Sequence, residues 1–157
     1  LKKEIAIPSF TFVNQKGEMV SSEEVFNSSK TTFVQFIFTS CPTICPVMST
    51  HFASFQKQVG EEVQFVSISI DPNYDTPQKL LDYSKNFNSK DNWIFLTGNN
   101  KEIIALQKAF DSYYGNKMYH QPSTFLKRPN QKGWVVYEGF INGKQLLAEF
   151  QEKQETI

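Results

Sequence analysis

Two cysteines in 157 residues are too few for a disulfide framework, and Cys41 and Cys45 would close only a tiny loop of little entropic value. Charge of one sign is also missing: 16 Lys and Arg balance 16 Asp and Glu, so no chain-wide positive field draws phosphate backbones or anionic lipid. Nucleic acid and bulk membrane surface are therefore poor partners. No apolar run approaches the roughly 18 to 20 residues of a membrane span. The most apolar stretch, Phe33 to Phe38, is short and broken by Gln35, which predicts a soluble body. The opening Leu1-Lys2-Lys3-Glu4 lacks a charged region followed by an apolar one, so any leader or anchor is expected to have been removed or omitted. Repeats, low-complexity tracts and Pro/Gly/Ser linkers are lacking too, which predicts one domain over residues 1–157. What the chain has in quantity is aromatic side chains, 15 of them Phe, enough to build a core without staples.

The order of elements follows from periodicity. Phe10 to Val13, the turn Asn14 to Gly17 and Met19-Val20 predict an N-terminal β-hairpin, and Ser21-Ser22-Glu23-Glu24 has capping chemistry for one helical turn. Thr31 to Phe38 and Val63 to Ile70 are β-branched and aromatic runs suited to central strands, and Trp93 to Leu96, Ser123 to Leu126 and Trp134 to Tyr137 are further strands. Helices are predicted from Cys45 to Gly60, after Asp75-Thr76-Pro77, over Lys101 to Tyr114 and over Lys144 to Gln154, with fraying from Glu152 to Ile157. Parallel strands need crossover helices, so this order predicts an α/β protein with a central mixed sheet flanked by helices.

Chemistry concentrates at Phe38-Thr39-Ser40-Cys41-Pro42-Thr43-Ile44-Cys45-Pro46, where two thiols stand between the exit of a strand and the entry of a helix. Open α/β folds place their sites at this end of the sheet. Free amides and the helix dipole there favour thiolate, so both sulfurs are expected to be more acidic than the ordinary value of about 8.5. Four positions apart on a turning backbone, the Cβ atoms are expected at about 5 to 6 Å, a spacing that closes a disulfide only with adjustment but also suits two sulfurs on one ion. Soft sulfur donors select Cu(I) or, with enough ligands, zinc. A third donor is required. His51 lies six positions past Cys45 on the proposed helix, rotated away from the sulfurs, and reads as a partly exposed helix residue; His120, in a loop just before a strand, is the better candidate.

Across most of its length the chain resembles the Sco (SenC) family. The resemblance is carried by the cysteine segment just quoted, by Ser67-Ile68-Ser69-Ile70-Asp71-Pro72-Asn73-Tyr74-Asp75-Thr76-Pro77, by Trp93-Ile94-Phe95-Leu96-Thr97-Gly98, and by His120 placed nine positions before Pro129. It implies a thioredoxin-like fold and a metallochaperone for cytochrome c oxidase assembly. It also implies one copper ion, as Cu(I) or Cu(II), held by Cys41, Cys45 and His120, with the thiols able to cycle through a disulfide. The implied partner is the copper-site subunit of the oxidase or another redox or copper protein, met by a monomer. The implied setting is extracytoplasmic, on the periplasmic face, with a membrane tether absent from this sequence.

Two departures matter. The family usually carries an acidic residue just before the histidine, whereas Met118-Tyr119 stand here, so a carboxylate that would orient the imidazole is missing locally. Pro122 occupies a position where the family commonly has a small residue, and Pro-x-Thr-Phe-Leu looks like the cis-proline strand start of thioredoxin-like oxidoreductases. Gln121-Pro122 is therefore predicted to be cis and to face the cysteines, where it would position a substrate. On that alternative the protein is a thiol–disulfide oxidoreductase in which Cys41 is the outer thiol and Cys45 resolves the mixed disulfide. A peroxidase has no support beyond an activated thiol. Asp71 and Asp75 could support the cysteine loop from the neighbouring strand end but read first as turn and cap chemistry; Met48 could offer a thioether but reads as core; Trp93 and Trp134 read as strand aromatics; Tyr113, Tyr114 and Tyr119 could form a docking surface but read first as packing residues. Met118 is left open as a thioether donor two residues from His120.

Overall fold

The structure is a computed structural model that describes residues 2–152. Short strand β1 (Lys2–Glu4) precedes the hairpin β2 (Thr11–Asn14) and β3 (Met19–Ser21), which turns through Gly17 at φ +82°, a value that favours glycine. Helix α1 (Ser22–Phe26) starts with the anticipated capping box: the Glu24 N–H donates to the Ser21 side chain, and the Ser21 N–H donates to the Glu24 carboxylate. Strand β4 (Thr31–Ile37) is buried along its whole length, which is why apolar side chains fill both of its faces. Then follow α2 (Ile44–Gln56), β5 (Val63–Ser69), α3 (Pro77–Lys85), β6 (Trp93–Thr97), α4 (Asn100–Ala109), β7 (Ser123–Lys127), β8 (Gly133–Glu138) and α5 (Gly143–Glu152).

All eight strands form one open mixed sheet in the order β1-β8-β7-β4-β5-β6-β2-β3. The centre is parallel, with Val34 opposite Val66 and Val66 opposite Ile94; β7 joins β4 antiparallel, with Val34 opposite Phe125. The hairpin is not a separate appendage, since β2 pairs with β6 through Val13 and Thr97. One face carries Phe33, Ile37, Phe65, Trp93 and Phe95 against Phe52 and Phe55 of α2, Leu80 and Tyr83 of α3, and Leu146 and Phe150 of α5. The other carries Val34, Phe36, Val66, Ile68 and Phe125 against Val25 and Phe26 of α1 and Ile103 and Leu106 of α4, with Phe110 just beyond. Trp93 and Trp134 are both buried, each in one layer, as core.

Four elements differ from the expectations above, among them α2, which stops at Gln56 and not at Gly60. Strand β1, three residues with two lysines, carries no apolar signal and exists through its pairing with β8. Helix α4 stops at Ala109 and not at Tyr114, because Asp111 adopts a left-handed φ of 56° and the Ser112 N–H reaches back to the Gln107 carbonyl at 2.7 Å. The segment so released forms a 3₁₀ turn at Lys117–Tyr119, just before His120. Glu152, the first residue of the expected fraying tail, still belongs to α5, while the expected end of the last helix at Gln154 and the rest of that tail lie outside the described residues.

Candidate metal centre

Strand β4 delivers the dithiol. After Phe38 the chain turns, with the Cys41 N–H donating to the Phe38 carbonyl at 3.1 Å, and α2 begins two residues after Pro42. Thr43 makes no side-chain cap to this helix. Cys41 Sγ serves instead, accepting the Cys45 N–H at 3.3 Å, so one sulfur satisfies an amide that the first helical turn leaves without a partner. Pro46, in the same turn, has no N–H to satisfy. Both cysteines are free thiols; Cys41 is 8% exposed and Cys45 fully buried, packed among Phe38, Phe52 and Tyr83 on the α2/α3 side. The expected acidity is not found for Cys45. Burial pushes its thiol well up, and the hydrogen bond with Cys41 and the negative charge of Asp75 act the same way, because a desolvated thiolate costs more than a helix terminus returns.

Asp75 organises this end of the sheet. Its buried carboxylate accepts the Thr39 N–H at 3.0 Å, the Thr39 hydroxyl, and the Ser69 hydroxyl at 2.7 Å, so it joins the cysteine loop after β4 to the end of β5. Support of the cysteine loop from the neighbouring strand end was the less favoured sequence expectation for Asp75, and it is the one the structure shows; burial of a carboxylate is a tertiary property. Thr76, not Asp75, caps α3 by accepting the Lys79 N–H. Beneath the dithiol, the Tyr83 hydroxyl and Ser49 Oγ lie 2.7 Å apart, and burial pushes the phenol up, the Ser49 hydrogen bond opposing and the negative charge of Asp75 adding to the effect.

His120 approaches the same strand end from the other layer. It is 4% exposed and borders a cavity of about 290 Å³ with Ile70, Ile104, Gln107 and Lys117. Its Nε2 lies 2.6 Å from the Phe36 carbonyl oxygen, and a carbonyl only accepts, so Nε2 carries the proton. The Ile37 carbonyl is taken by Ile70 N–H on the β5 side, so that of Phe36 faces the β7 side, where the strand begins only at Ser123. The imidazole fills the gap. Burial depresses its pKa, the Phe36 bond opposing, which keeps the ring neutral with its Nδ1 lone pair buried and without a partner.

Among the described residues no three His, Cys, Asp or Glu side chains converge closely enough to hold a metal ion. The structure brings Cys41 and Cys45 together and leaves His120 in the adjacent layer. His51 is half-buried on α2, edge-on to Phe140, as a helix residue away from the thiols. Met48 is buried core and Met118 is exposed, while Tyr119, Tyr113 and Tyr114 are exposed and not packed as expected. The Pro122 prediction is corrected: no cis peptide bond occurs among the described residues, so Gln121–Pro122 is trans. Its carbonyl accepts the Gly139 N–H and the residue borders a cavity with Phe110, Tyr114 and Val136 that contains neither cysteine. Holding β8 through that bond needs no cis geometry, and the substrate-positioning role assigned to Pro122 loses its basis.

An open mixed sheet covered by helices on both faces, with a dithiol where a central parallel strand passes into a helix, defines a thioredoxin-like α/β protein. Residues 1–153 match the family model described as SCO1/SenC, and the chain belongs to that family. It is similar to a SCO1/SenC family lipoprotein from Bacillus anthracis, with 30% identity, 98% of each chain covered and a TM-score of 0.82. Arabidopsis thaliana ScoI with copper bound aligns at 25% identity over 97% of this chain and 100% of that one, with a TM-score of 0.81. BsSco, described through a disulfide switch as a member of the Sco family of cytochrome c oxidase assembly proteins, aligns at 32% identity over 98% and 96%, with a TM-score of 0.79.

Proposed function

We propose that this protein is a copper-carrying metallochaperone in which reduced Cys41 and Cys45, joined by His120, take up one copper ion and pass it on by ligand exchange. The acceptor is the copper-site subunit of cytochrome c oxidase or another copper or redox protein. The observation that carries the reading is the state of His120: its Nε2–H is spent on the Phe36 carbonyl, which fixes the tautomer that leaves Nδ1 as a lone-pair donor, and that Nδ1 lone pair is unspent. Two soft sulfurs and one borderline nitrogen suit Cu(I), and the copper-bound relative supports copper as the ion. The ring must cross from its layer to the sulfurs, and the Cys45 thiol must lose its proton, so uptake releases protons. An extracytoplasmic, membrane-tethered setting fits the lipoprotein relative; among the described residues no helix is long and apolar enough to cross a membrane.

The test is a Cu(I) titration of the reduced protein against a colorimetric chelator. One equivalent binds, Cys41→Ser and Cys45→Ser abolish tight binding, and His120→Ala weakens it by at least roughly tenfold. Unchanged affinity in His120→Ala removes the imidazole from the ligand set. The gradient from slightly exposed Cys41 to fully buried Cys45 favours a second reading, a thiol–disulfide oxidoreductase with Cys41 outermost. Negligible copper affinity together with clean redox equilibrium against a thioredoxin would select it.

A further inference from the structure

The turn that carries His120 is tied to the body in an unequal way. Within itself it is stiff: the Asn116 side chain accepts the Met118 N–H at 2.8 Å, the Tyr119 N–H donates to the Asn116 carbonyl, and the His120 N–H donates to the Lys117 carbonyl. Outward, two polar tethers hold residues 116–120 among the described residues. One is the imidazole on the Phe36 carbonyl; the other is Lys117 Nζ, 2.7 Å from Asp71 Oδ2. The same ammonium stands 5.4 Å over the ring of Phe38, which precedes the cysteine loop. Asp71 is itself held in place, since its N–H donates to Ser69 Oγ and its carbonyl accepts the Asp75 N–H. The body end of this ion pair is thus anchored in the cluster that supports the dithiol loop.

Little else fixes the turn. Gly115 enters it at φ +83° with open space around it, Met118 and Tyr119 are more than 60% exposed, and the cavity beside His120 leaves one flank unpacked. In this conformation the imidazole is not with the sulfurs. An interaction made in the parked state and broken on crossing biases the equilibrium against the state that holds metal.

We propose that Lys117 is a positioning residue for metal uptake: its ion pair with Asp71 latches the 3₁₀ turn in the parked position and must open before His120 reaches Cys41 and Cys45. This rests on the reading of His120 as a ligand. The Lys117 side chain is 39% exposed and that of Asp71 17%, so the latch is weak enough to open reversibly and is sensitive to salt.

The experiment reads the ring first without metal. Relaxation dispersion of the isotope-labelled His120 imidazole is measured in the reduced protein, in Lys117→Met, in Asp71→Asn and in the reciprocal Lys117→Asp/Asp71→Lys pair. The open population is expected to rise roughly two- to fivefold in each single variant and to return toward wild type in the exchanged pair. Raising ionic strength from about 0.05 to 0.5 M moves wild type toward Lys117→Met and leaves that variant unchanged. Stopped-flow Cu(I) uptake accelerates by the same factor in Lys117→Met. Identical ring exchange in wild type and Lys117→Met, or no response of wild type to salt, overturns the latch. If Asp71→Asn fails to fold, Lys117→Met and the salt series decide alone. Should His120→Ala leave copper affinity intact, the ligand reading fails while the metal-free ring dynamics still report on the latch, so the two failures are distinguishable.

Discussion

The cysteine loop and the histidine turn converge on the same strand end, near Phe38 and Phe36, and are held there by contacts of different kinds. The loop is secured by a buried carboxylate with three donors and by two sulfurs enclosed among Phe38, Phe52 and Tyr83. The turn is secured by one ring hydrogen bond and one partly exposed ion pair, with two large side chains in solvent. A buried charged hydrogen-bond network is rigid because each broken member leaves a desolvated group unpaired, whereas an exposed ion pair exchanges its partner for water at little cost. One half of the proposed site is therefore preformed and the other is movable, as the proposed uptake and release of an ion would require.

The contrast breaks most severely at Asp75. Asp75→Ala leaves the Thr39 N–H and two hydroxyls without their acceptor and is expected to destabilise the fold by about 2 to 4 kcal/mol in urea unfolding. A loss under about 0.5 kcal/mol would mean that the carboxylate does not hold the loop. The next effect is kinetic. Iodoacetamide is expected to modify Cys41 at least about tenfold faster than Cys45, whose thiol is fully buried and held protonated, and equal rates by mass spectrometry would contradict the gradient.

A smaller effect is expected from pH. Both His120 and His51 have folded pKa values lowered from 6.5 by burial, so the unfolded chain binds protons first as pH falls. Their contribution is complete above 6.5 and lost progressively below it, and the melting temperature should decline from about pH 7 to pH 5. His120→Gln should flatten that slope more than His51→Gln, since His120 is the more deeply buried ring. Smallest of all, Tyr119→Ser on the exposed turn should change stability by no more than about 0.5 kcal/mol, and a larger loss would show that the turn is packed in solution.

The sheet was legible because its strands advertise themselves locally. Thr31 to Phe38 and Val63 to Ile70 were found to within a residue, and Cys41 and Cys45 were correctly placed at the exit of the strand and the entry of the helix. The departures share a cause. Strand β1 has no pattern of its own and depends on β8, the Asp111 backbone reverses a helix whose apolar spacing continues, and Pro122 resembles a cis-proline motif while its carbonyl is used by Gly139 in an ordinary trans chain. Lys117 carried no signal, because its partner Asp71 lies 46 positions away.

Residue order alone determined the alternation of strands and helices, the amount of apolar material for two core layers, and the pair of thiols at a helix mouth, since each depends on neighbours within a few positions. Tertiary structure alone decided which layer receives His120, that Asp75 is buried as a hub and that the Cys45 thiol stays protonated. Those properties arise from solvent exclusion and from partners brought together across the sheet, and neither is encoded in any short stretch of the chain.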